Sequence, residues 1–232
     1  MAITAIFSDL GDVDCSTIPT LWAGISDINV LRVTRDSDYT REDIWDAIRN
    51  EGDTLIMAGH GTPAGLLGYV APPRMKPGEE QEEEFDTDSD MFGYTFGFNT
   101  ALGPAAGRKV KYRRPSYRHM ETIVDSQMAR DIHADKVIAV WCHASDFAKS
   151  NHLYGFWSSM FISNSAEARY CGFPGVPNEL IVKETIKFFR DANVLLKAGV
   201  PLEEWPDRIR AVGNMNYPTT KYNYDGLKYF PK

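Results

Sequence analysis

Short apolar segments recur along the chain and are separated by polar or helix-patterned stretches. Two of them, TLIMA and VIAVW, are apolar almost throughout, which is typical of strands buried on both faces of a sheet. The other apolar runs are shorter or partly polar. The pattern predicts six strands, at Ile3–Phe7, Ile28–Val33, Thr54–Ala58, Leu66–Val70, Val137–Trp141 and Ser158–Ser163.

Helical spacing fills the intervals between several of these strands. Thr40 is placed to cap a helix whose apolar face carries Ile44 and Ile48, with Asp43 at the position that completes a capping box. Asn164 is placed to cap a short helix in the same way. That short helix is predicted over Ala166–Tyr170, and further helices are predicted over Tyr117–Ile132, Glu179–Ala198 and Leu202–Val212.

This alternation predicts an α/β fold, a three-layer sandwich with a mainly parallel sheet flanked by helices. The length of 232 residues suits a single domain, predicted to span 1–232. An insertion is expected at about 72–114, because prolines, an acidic run and the aromatic segment Met91–Phe98 interrupt the pattern. The segment at about 214–232, rich in Tyr and Asn, is predicted to be an irregular C-terminal tail.

Composition excludes several classes of protein. The net charge of −7 argues against a nucleic-acid partner, because phosphate binding needs a basic face. The three cysteines form neither a disulfide framework nor a C-x-x-C zinc pair, so no metal site is expected. Neither a signal peptide nor an apolar run of about 18 residues is evident, which predicts a cytoplasmic protein without a membrane partner.

Reactive side chains follow the two most apolar strands. One strand runs into His60 and Gly61, and the other runs into Cys142. In a parallel sheet both ends meet at one edge, where ligands bind. A cysteine nucleophile needs a neighbouring imidazole, so His60 and Cys142 are predicted to be catalytic. The backbone N–H groups of Gly61 and Cys142 are predicted to stabilise an oxyanion.

The blocks LIMAGHG and VIAVWC resemble the two signature blocks of the caspase, gingipain, clostripain and legumain clan of cysteine peptidases. In that clan one hydrophobic strand runs into His-Gly and a later one runs into the nucleophilic Cys, in the order found here. His60 and Cys142 are 82 residues apart, against about 50 in caspases, and the insertion accounts for the difference. Val140-Trp141 before the cysteine and His143 after it depart from the caspase pattern.

The resemblance, over roughly residues 1 to 170, implies a caspase-like sheet and a cysteine endopeptidase, a hydrolase that acts on peptide or protein substrates through a His-Cys dyad. It implies no cofactor. Calcium activates some members of the clan, but no motif in this sequence supplies a calcium site. The sequence does not indicate an oligomeric state.

In the clan, a residue near the end of the first strand often lines the pocket for the side chain before the scissile bond. Here that loop carries Asp9, Asp12 and Asp14. Carboxylates in the pocket would favour cleavage after Arg or Lys. The alternative is that these three acids are solvated loop residues or helix caps.

A second hypothesis concerns the basic run of residues 108–114, where such an enzyme could cut its own chain. The candidate positions for self-cleavage are Arg108, Lys109, Lys111, Arg113 and Arg114. An ordinary charged loop remains the alternative interpretation.

Other interpretations of the same residues stay open. His143 could replace His60 as the base, although neighbouring residues at a strand end point to opposite sides. A metal site formed by Cys142, His143 and His152 matches no ligand spacing that is known. Cys15 and Cys171 are expected to be small buried hydrophobes. The whole chain could also be a caspase-like scaffold without catalysis that acts as a regulatory or binding module, or a flavodoxin-like binding domain.

Overall fold

Two β-sheets organise the protein in a computed structural model that describes residues 2–12, 14–50, 52–71 and 119–232. The expected insertion, the aromatic segment and the basic run all lie outside these residues. The strands are β1 Ile3–Ser8, β2 Ile28–Val33, β3 Thr54–Ala58, β4 Gly61–Thr62, β5 Gly65–Val70, β6 His119–Val124, β7 Lys136–Val140, β8 Gly155–Trp157 and β9 Lys228–Phe230.

Six α-helices and three 3-10 helices complete the described residues. The α-helices are α1 Arg41–Arg49, α2 Ala144–Ser150, α3 Ser165–Tyr170, α4 Asn178–Lys197, α5 Trp205–Val212 and α6 Pro218–Asp225. The 3-10 helices span Cys15–Trp22, Met128–Asp131 and Leu202–Glu204. Within the described ranges, no helix is both long enough and apolar enough to cross a membrane.

The larger sheet has six strands in the order β2-β1-β3-β7-β8-β9. Its first five strands are parallel, and β9 runs antiparallel to β8. Every residue of β1 and β3 is buried, because side chains that alternate along each strand meet a covered face on either side. The prediction of an α/β fold with a mostly parallel sheet flanked by helices is confirmed.

The two faces of this sheet carry separate hydrophobic clusters. On one face Phe7 and Ile138 pack with Phe188 of α4 and Trp205 of α5. The other face buries residues of α1, α2 and the small antiparallel sheet β4-β5-β6, among them Ile44, Phe147 and Ile123. Three layers follow from this arrangement, with the parallel sheet in the middle.

Local sequence signals place α1 and α3. The Thr40 hydroxyl accepts the N–H of Asp43, and the Asp43 carboxylate accepts the N–H of Thr40 at 2.8 Å, so both halves of the predicted capping box are present. Asn164 accepts the N–H groups of Ala166 and Glu167, both at 2.9 Å. These caps satisfy helix N–H groups that otherwise lack acceptors.

The helix predicted over Tyr117–Ile132 is wrong. His119–Val124 is a strand that pairs antiparallel with β5. The Asp125 side chain accepts the N–H groups of Gln127 and Met128, at 2.9 and 3.2 Å, and so turns the chain directly after that strand. Pairing with β5 and this turn override the helical spacing of the apolar residues.

The strand predicted at Ser158–Ser163 is also wrong, because the fifth parallel strand is Gly155–Trp157. The Ser158 hydroxyl accepts the N–H of Trp141 at 3.1 Å and donates to the Trp141 carbonyl at 2.8 Å. The Ser158 side chain therefore makes the hydrogen bonds to the residue that follows β7, and the residues after Ser158 leave the sheet.

The prediction of an irregular tail at about 214–232 is wrong as well. Pro218 opens α6 at a position where a missing N–H costs nothing, and Lys228–Phe230 adds the antiparallel edge strand beside β8. Tyr224 is buried in the core. Tyr, Asn and Thr are weak helix formers, so the sequence of this segment does not predict a helix. Packing against the rest of the protein stabilises it.

Candidate active site

His60 leaves the sheet two residues after β3, through a turn that only glycine fits. Gly59 has φ +146°, and a Cβ there would lie 2.7 Å from both the backbone oxygen and the Cβ of Ser8. The chain can therefore pass close to the end of β1 and present His60 at the edge of the sheet.

The register of two parallel strands brings His60 and Cys142 to one place. Ala58 of β3 is paired with Val140 of β7, and each reactive residue follows its strand by two positions. Neighbouring strands lie about 4.8 Å apart. His60 and Cys142 both line one cavity of about 30 Å³ at this edge. The structure thus brings the two predicted residues together.

Cys142 is a partly exposed thiol in its resting state. Its Sγ donates to the carbonyl of Phe161 at 3.4 Å. Burial, followed by the negative charge of Glu167, raises the pKa of the Cys142 thiol to about 12. At neutral pH the resting protein therefore holds Cys142 as a neutral thiol, which is a weak nucleophile.

The backbone N–H groups of Gly61 and Cys142, the two predicted oxyanion donors, are not used in the neighbouring ladders. The carbonyl of His60 accepts the N–H of Leu67 at 2.9 Å, so the next pair, Gly61 and Leu66, is a non-hydrogen-bonded pair. The N–H of Gly61 consequently points away from β5. The N–H of Cys142 has no acceptor within the described part of the chain. Both predicted oxyanion donors are thus free of backbone partners in the ladders around them.

The contacts of the His60 ring are with Asp12 and Cys15. Its Nε2 lies 2.7 Å from Asp12 Oδ2. One ligand atom from each of Asp12, Cys15 and His60 lies within 4.8 Å of the other two. The hydrogen bonds to Asp12 and then to Cys15 raise the pKa of His60 to about 10, and the same bond to His60 holds the pKa of Asp12 well below its usual range. His60 is therefore an imidazolium at neutral pH.

The three acids predicted for the substrate pocket have different surroundings. Asp9 is buried and accepts from Arg32 Nε at 2.8 Å, away from the cavity. Asp12 is engaged with His60. Only Asp14 lines the cavity, where its Oδ2 accepts from Asn164 Nδ2 at 2.6 Å.

Sequence reasoning missed two residues of this site. Cys15 was expected to be a buried hydrophobe, and it is fully buried, but its thiol lies beside His60. Glu167 lines the cavity and accepts the N–H and hydroxyl of Ser163, at 2.7 and 2.9 Å. Burial raises the pKa of Glu167. Neither residue follows a strand of the large sheet within two positions, so the strand-end rule could not find them.

His143 does not belong to the cavity. Its backbone adopts φ +69°, and its Nδ1 lies 2.9 Å from Asp146 Oδ2 at the protein surface. This position agrees with the expectation that residues 142 and 143 face opposite sides, and it leaves His60 as the histidine that lines the cavity with Cys142.

No protein-family model matches the sequence, and neither the curated proteins nor the solved structures gave a match.

Proposed function

We propose that this protein is a caspase-like cysteine endopeptidase in which Cys142 is the nucleophile and His60 is its acid–base partner. The observation that carries the proposal is the register of β3 and β7, which makes both residues line one cavity at the edge of a parallel sheet. A mostly parallel sheet flanked by helices is also what the resemblance of LIMAGHG and VIAVWC implies.

Cys142 suits the role of nucleophile better than Cys15. Both thiols line the cavity, but Cys15 is completely inaccessible to solvent, whereas Cys142 is partly exposed. A carbonyl carbon must come within bonding distance of the attacking sulfur, which requires an accessible thiol. Cys15 instead contacts His60 from inside the protein.

The charge of His60 sets the order of proton transfers. Because His60 is already an imidazolium, the thiol proton of Cys142 leaves to solvent when the thiolate forms. The thiolate attacks the peptide carbonyl, and the N–H groups of Gly61 and Cys142 hold the oxyanion. His60 then donates its proton to the departing amine, and the neutral imidazole takes a proton from the water that hydrolyses the thioester.

Two carboxylates favour a basic substrate side chain. Asp14 and Glu167 both line the cavity beside Cys142, and both raise the pKa of its thiol, so their negative charge reaches the attacking atom. An Arg or Lys side chain before the scissile bond would neutralise this field. The present volume of about 30 Å³ holds only a few water molecules. Substrate binding therefore requires the lining residues to move apart.

A panel of fluorogenic peptides that differ only in the residue before the scissile bond tests this proposal. We expect cleavage after Arg and Lys that is lost in Cys142→Ala and His60→Ala and retained in the matched variants Cys171→Ala and His143→Ala. Cleavage confined to Asp or neutral residues would overturn the basic specificity. Activity that survives Cys142→Ala but not Cys15→Ala would overturn the choice of nucleophile.

Self-processing is a second part of the proposal, resting on the basic residues 108–114. Intact-mass spectrometry of the purified protein should show cleavage in that segment during incubation, and the Cys142→Ala chain should stay whole. An active enzyme that remains uncut would rule self-processing out.

A catalytically idle scaffold is the alternative function, favoured by the neutral resting thiol and the small cavity. A thiol-directed active-site probe separates the two. Labelling of Cys142 that outpaces labelling of Cys15 and Cys171, and that disappears in His60→Ala, supports the peptidase. Slow and equal labelling of all three cysteines, with no peptide cleaved, supports the scaffold.

A further inference from the structure

The Asp12, Cys15 and His60 side chains converge from two separate parts of the chain. Asp12 and Cys15 belong to the loop and 3-10 helix after β1, and His60 follows β3. Their ligand atoms lie within 4.8 Å of one another. The two oxygens of the Asp12 carboxylate have different partners: Oδ1 accepts the N–H of Cys15 at 2.8 Å, and Oδ2 faces His60.

This donor set matches the coordination chemistry of zinc. Zinc binds thiolate, imidazole and carboxylate at about 2.0–2.3 Å in tetrahedral geometry, which places neighbouring ligand atoms about 3.4 Å apart. Asp12 Oδ2 and His60 Nε2 are 2.7 Å apart, closer than this value, and all three ligand atoms lie within 4.8 Å of one another. Calcium and magnesium prefer oxygen ligands and are poorly suited to a set with one carboxylate.

The three side chains differ in solvent access and in rigidity, and both differences suit the binding of an ion. The Asp12 side chain is 41% exposed, so an ion can enter from its side. The Cys15 sulfur is buried and donates to the Ser8 carbonyl at 3.4 Å, which fixes it at the inner side of the cluster. A fourth, open position toward Asp12 would remain for water.

We propose that Asp12, Cys15 and His60 form a binding site for a zinc ion, distinct from the nucleophile Cys142. Binding replaces the thiol proton of Cys15 and the ring proton of His60 by zinc, and both protons pass to solvent. Because His60 is then a zinc ligand, it cannot donate a proton to a leaving amine. Zinc would thus inhibit the enzyme reversibly, a consequence that rests on the proposed peptidase function, whereas the site itself does not.

Cobalt(II) titration of the full chain tests the site without any activity measurement. We expect one equivalent of cobalt to give thiolate charge-transfer and tetrahedral d–d absorption, and zinc to displace it. Cys15→Ser should lose the charge-transfer band. Asp12→Asn removes one charged ligand and should weaken zinc binding by at least about tenfold. Cys171→Ser and Cys142→Ala are the matched controls and should bind as the wild type does.

Calorimetry in buffers with different protonation enthalpies should show about two protons released per zinc at neutral pH. Binding that is unchanged in both Cys15→Ser and Asp12→Asn, or that is lost in Cys142→Ala, would overturn the site. Zinc binding by a chain that cleaves no peptide would leave the site intact and contradict only the peptidase. An active peptidase that binds no zinc would contradict the zinc site and leave the proposed peptidase function intact.

Discussion

The indole ring of Trp141 packs directly against the backbone of Gly61. A Cβ at Gly61 would lie 2.1 Å from Trp141 Cδ1, and Trp141 Nε1 donates to the Thr62 carbonyl at 3.3 Å. Trp141 precedes Cys142 and Gly61 follows His60, so this contact joins the two halves of the candidate active site. It explains why glycine must follow the histidine here, independently of any catalytic role.

Gly61→Ala tests this contact. We expect the added methyl group to reduce the free energy of unfolding by about 1–3 kcal/mol, because the buried indole has little room to move. The same substitution in a Trp141→Ala background should cost less, since the clashing ring is gone. Urea denaturation of the four proteins gives the coupling energy. Equal costs in both backgrounds would show that the ring is not what excludes a side chain.

Removing the Asp12 carboxylate should change how stability depends on pH. The folded pKa of His60 is about 10, above its ordinary 6.5, so the folded protein keeps a proton that the unfolded chain releases between these values. The stabilisation of the folded state by the His60 proton is fully present below about pH 6.5 and is lost as the pH rises through about 10. The pKa of Asp12 is lowered in the folded protein, so its carboxylate contributes its full stabilisation only above the ordinary aspartate pKa of 3.8.

We therefore expect Asp12→Asn to be most destabilising between about pH 4 and 6.5, and progressively less so at higher pH. Urea denaturation across this range in chelator-treated buffer measures the difference. Asp146→Asn is the control, since its partner His143 is 41% exposed against 27% for His60. A destabilisation by Asp12→Asn that grows with rising pH would contradict the assigned ion pair.

The sequence predicts the position of a residue when its own strand places that residue, and does not predict it when another element does. Ile28–Val33 and Thr54–Ala58 were predicted with the boundaries that the structure has. His60 follows Thr54–Ala58, and Cys142 follows the strand predicted at Val137–Trp141, which lies at Lys136–Val140. Parallel strands place both ends at one edge. Burial on both faces makes such strands almost wholly apolar, so their pattern is visible without any partner.

Cys15 and Glu167 could not be found in this way. Cys15 reaches the cavity from a 3-10 helix that packs against the sheet and α4, and Glu167 reaches it from α3, which packs against α4. Both positions depend on contacts that are distant in sequence. The same reason hid α6 and β9, whose residues lack a strong apolar period. Asp12 lies in the loop after β1, as the sequence places it, but its contact with His60 could not be predicted, because that contact depends on how β1 and β3 are aligned.

Glu167 should restrain the reactivity of Cys142. Its carboxylate is the largest charge effect that raises the pKa of the thiol, after burial. Glu167→Gln removes that charge, and a fall of about half a pKa unit would increase the thiolate fraction roughly threefold. The rate of iodoacetamide alkylation of Cys142 between pH 7 and 9 should rise accordingly. Glu179→Gln, at an exposed position of α4, is the matched control.

A wild-type rate in Glu167→Gln would mean that burial alone sets the pKa of Cys142. Peptide cleavage gives a second readout from the same variant. Preference for Arg and Lys should weaken in Glu167→Gln, because one of the two cavity carboxylates is gone, whereas Glu179→Gln should keep it.

Asn223 of α6 holds the segment that faces Cys142. Its side chain accepts the N–H of Ile162 at 2.7 Å and donates to the Ile162 carbonyl at 2.8 Å, in a position that is almost fully buried. The preceding residue, Phe161, offers the carbonyl that accepts from the Cys142 thiol. The C-terminal segment is therefore part of the support of the site.

Asn223→Ala should reduce the free energy of unfolding by about 2 kcal/mol or more, because two buried backbone groups of Ile162 lose their partner. Lys221→Ala, on the exposed side of the same helix, should cost less than about 0.5 kcal/mol. We also expect Cys142 to be alkylated faster in Asn223→Ala, since the loosened Phe161 carbonyl no longer holds the thiol. If both variants unfold at the same urea concentration and Cys142 keeps its wild-type rate, then the strand pairing of β9 with β8, and not Asn223, anchors this end of the chain.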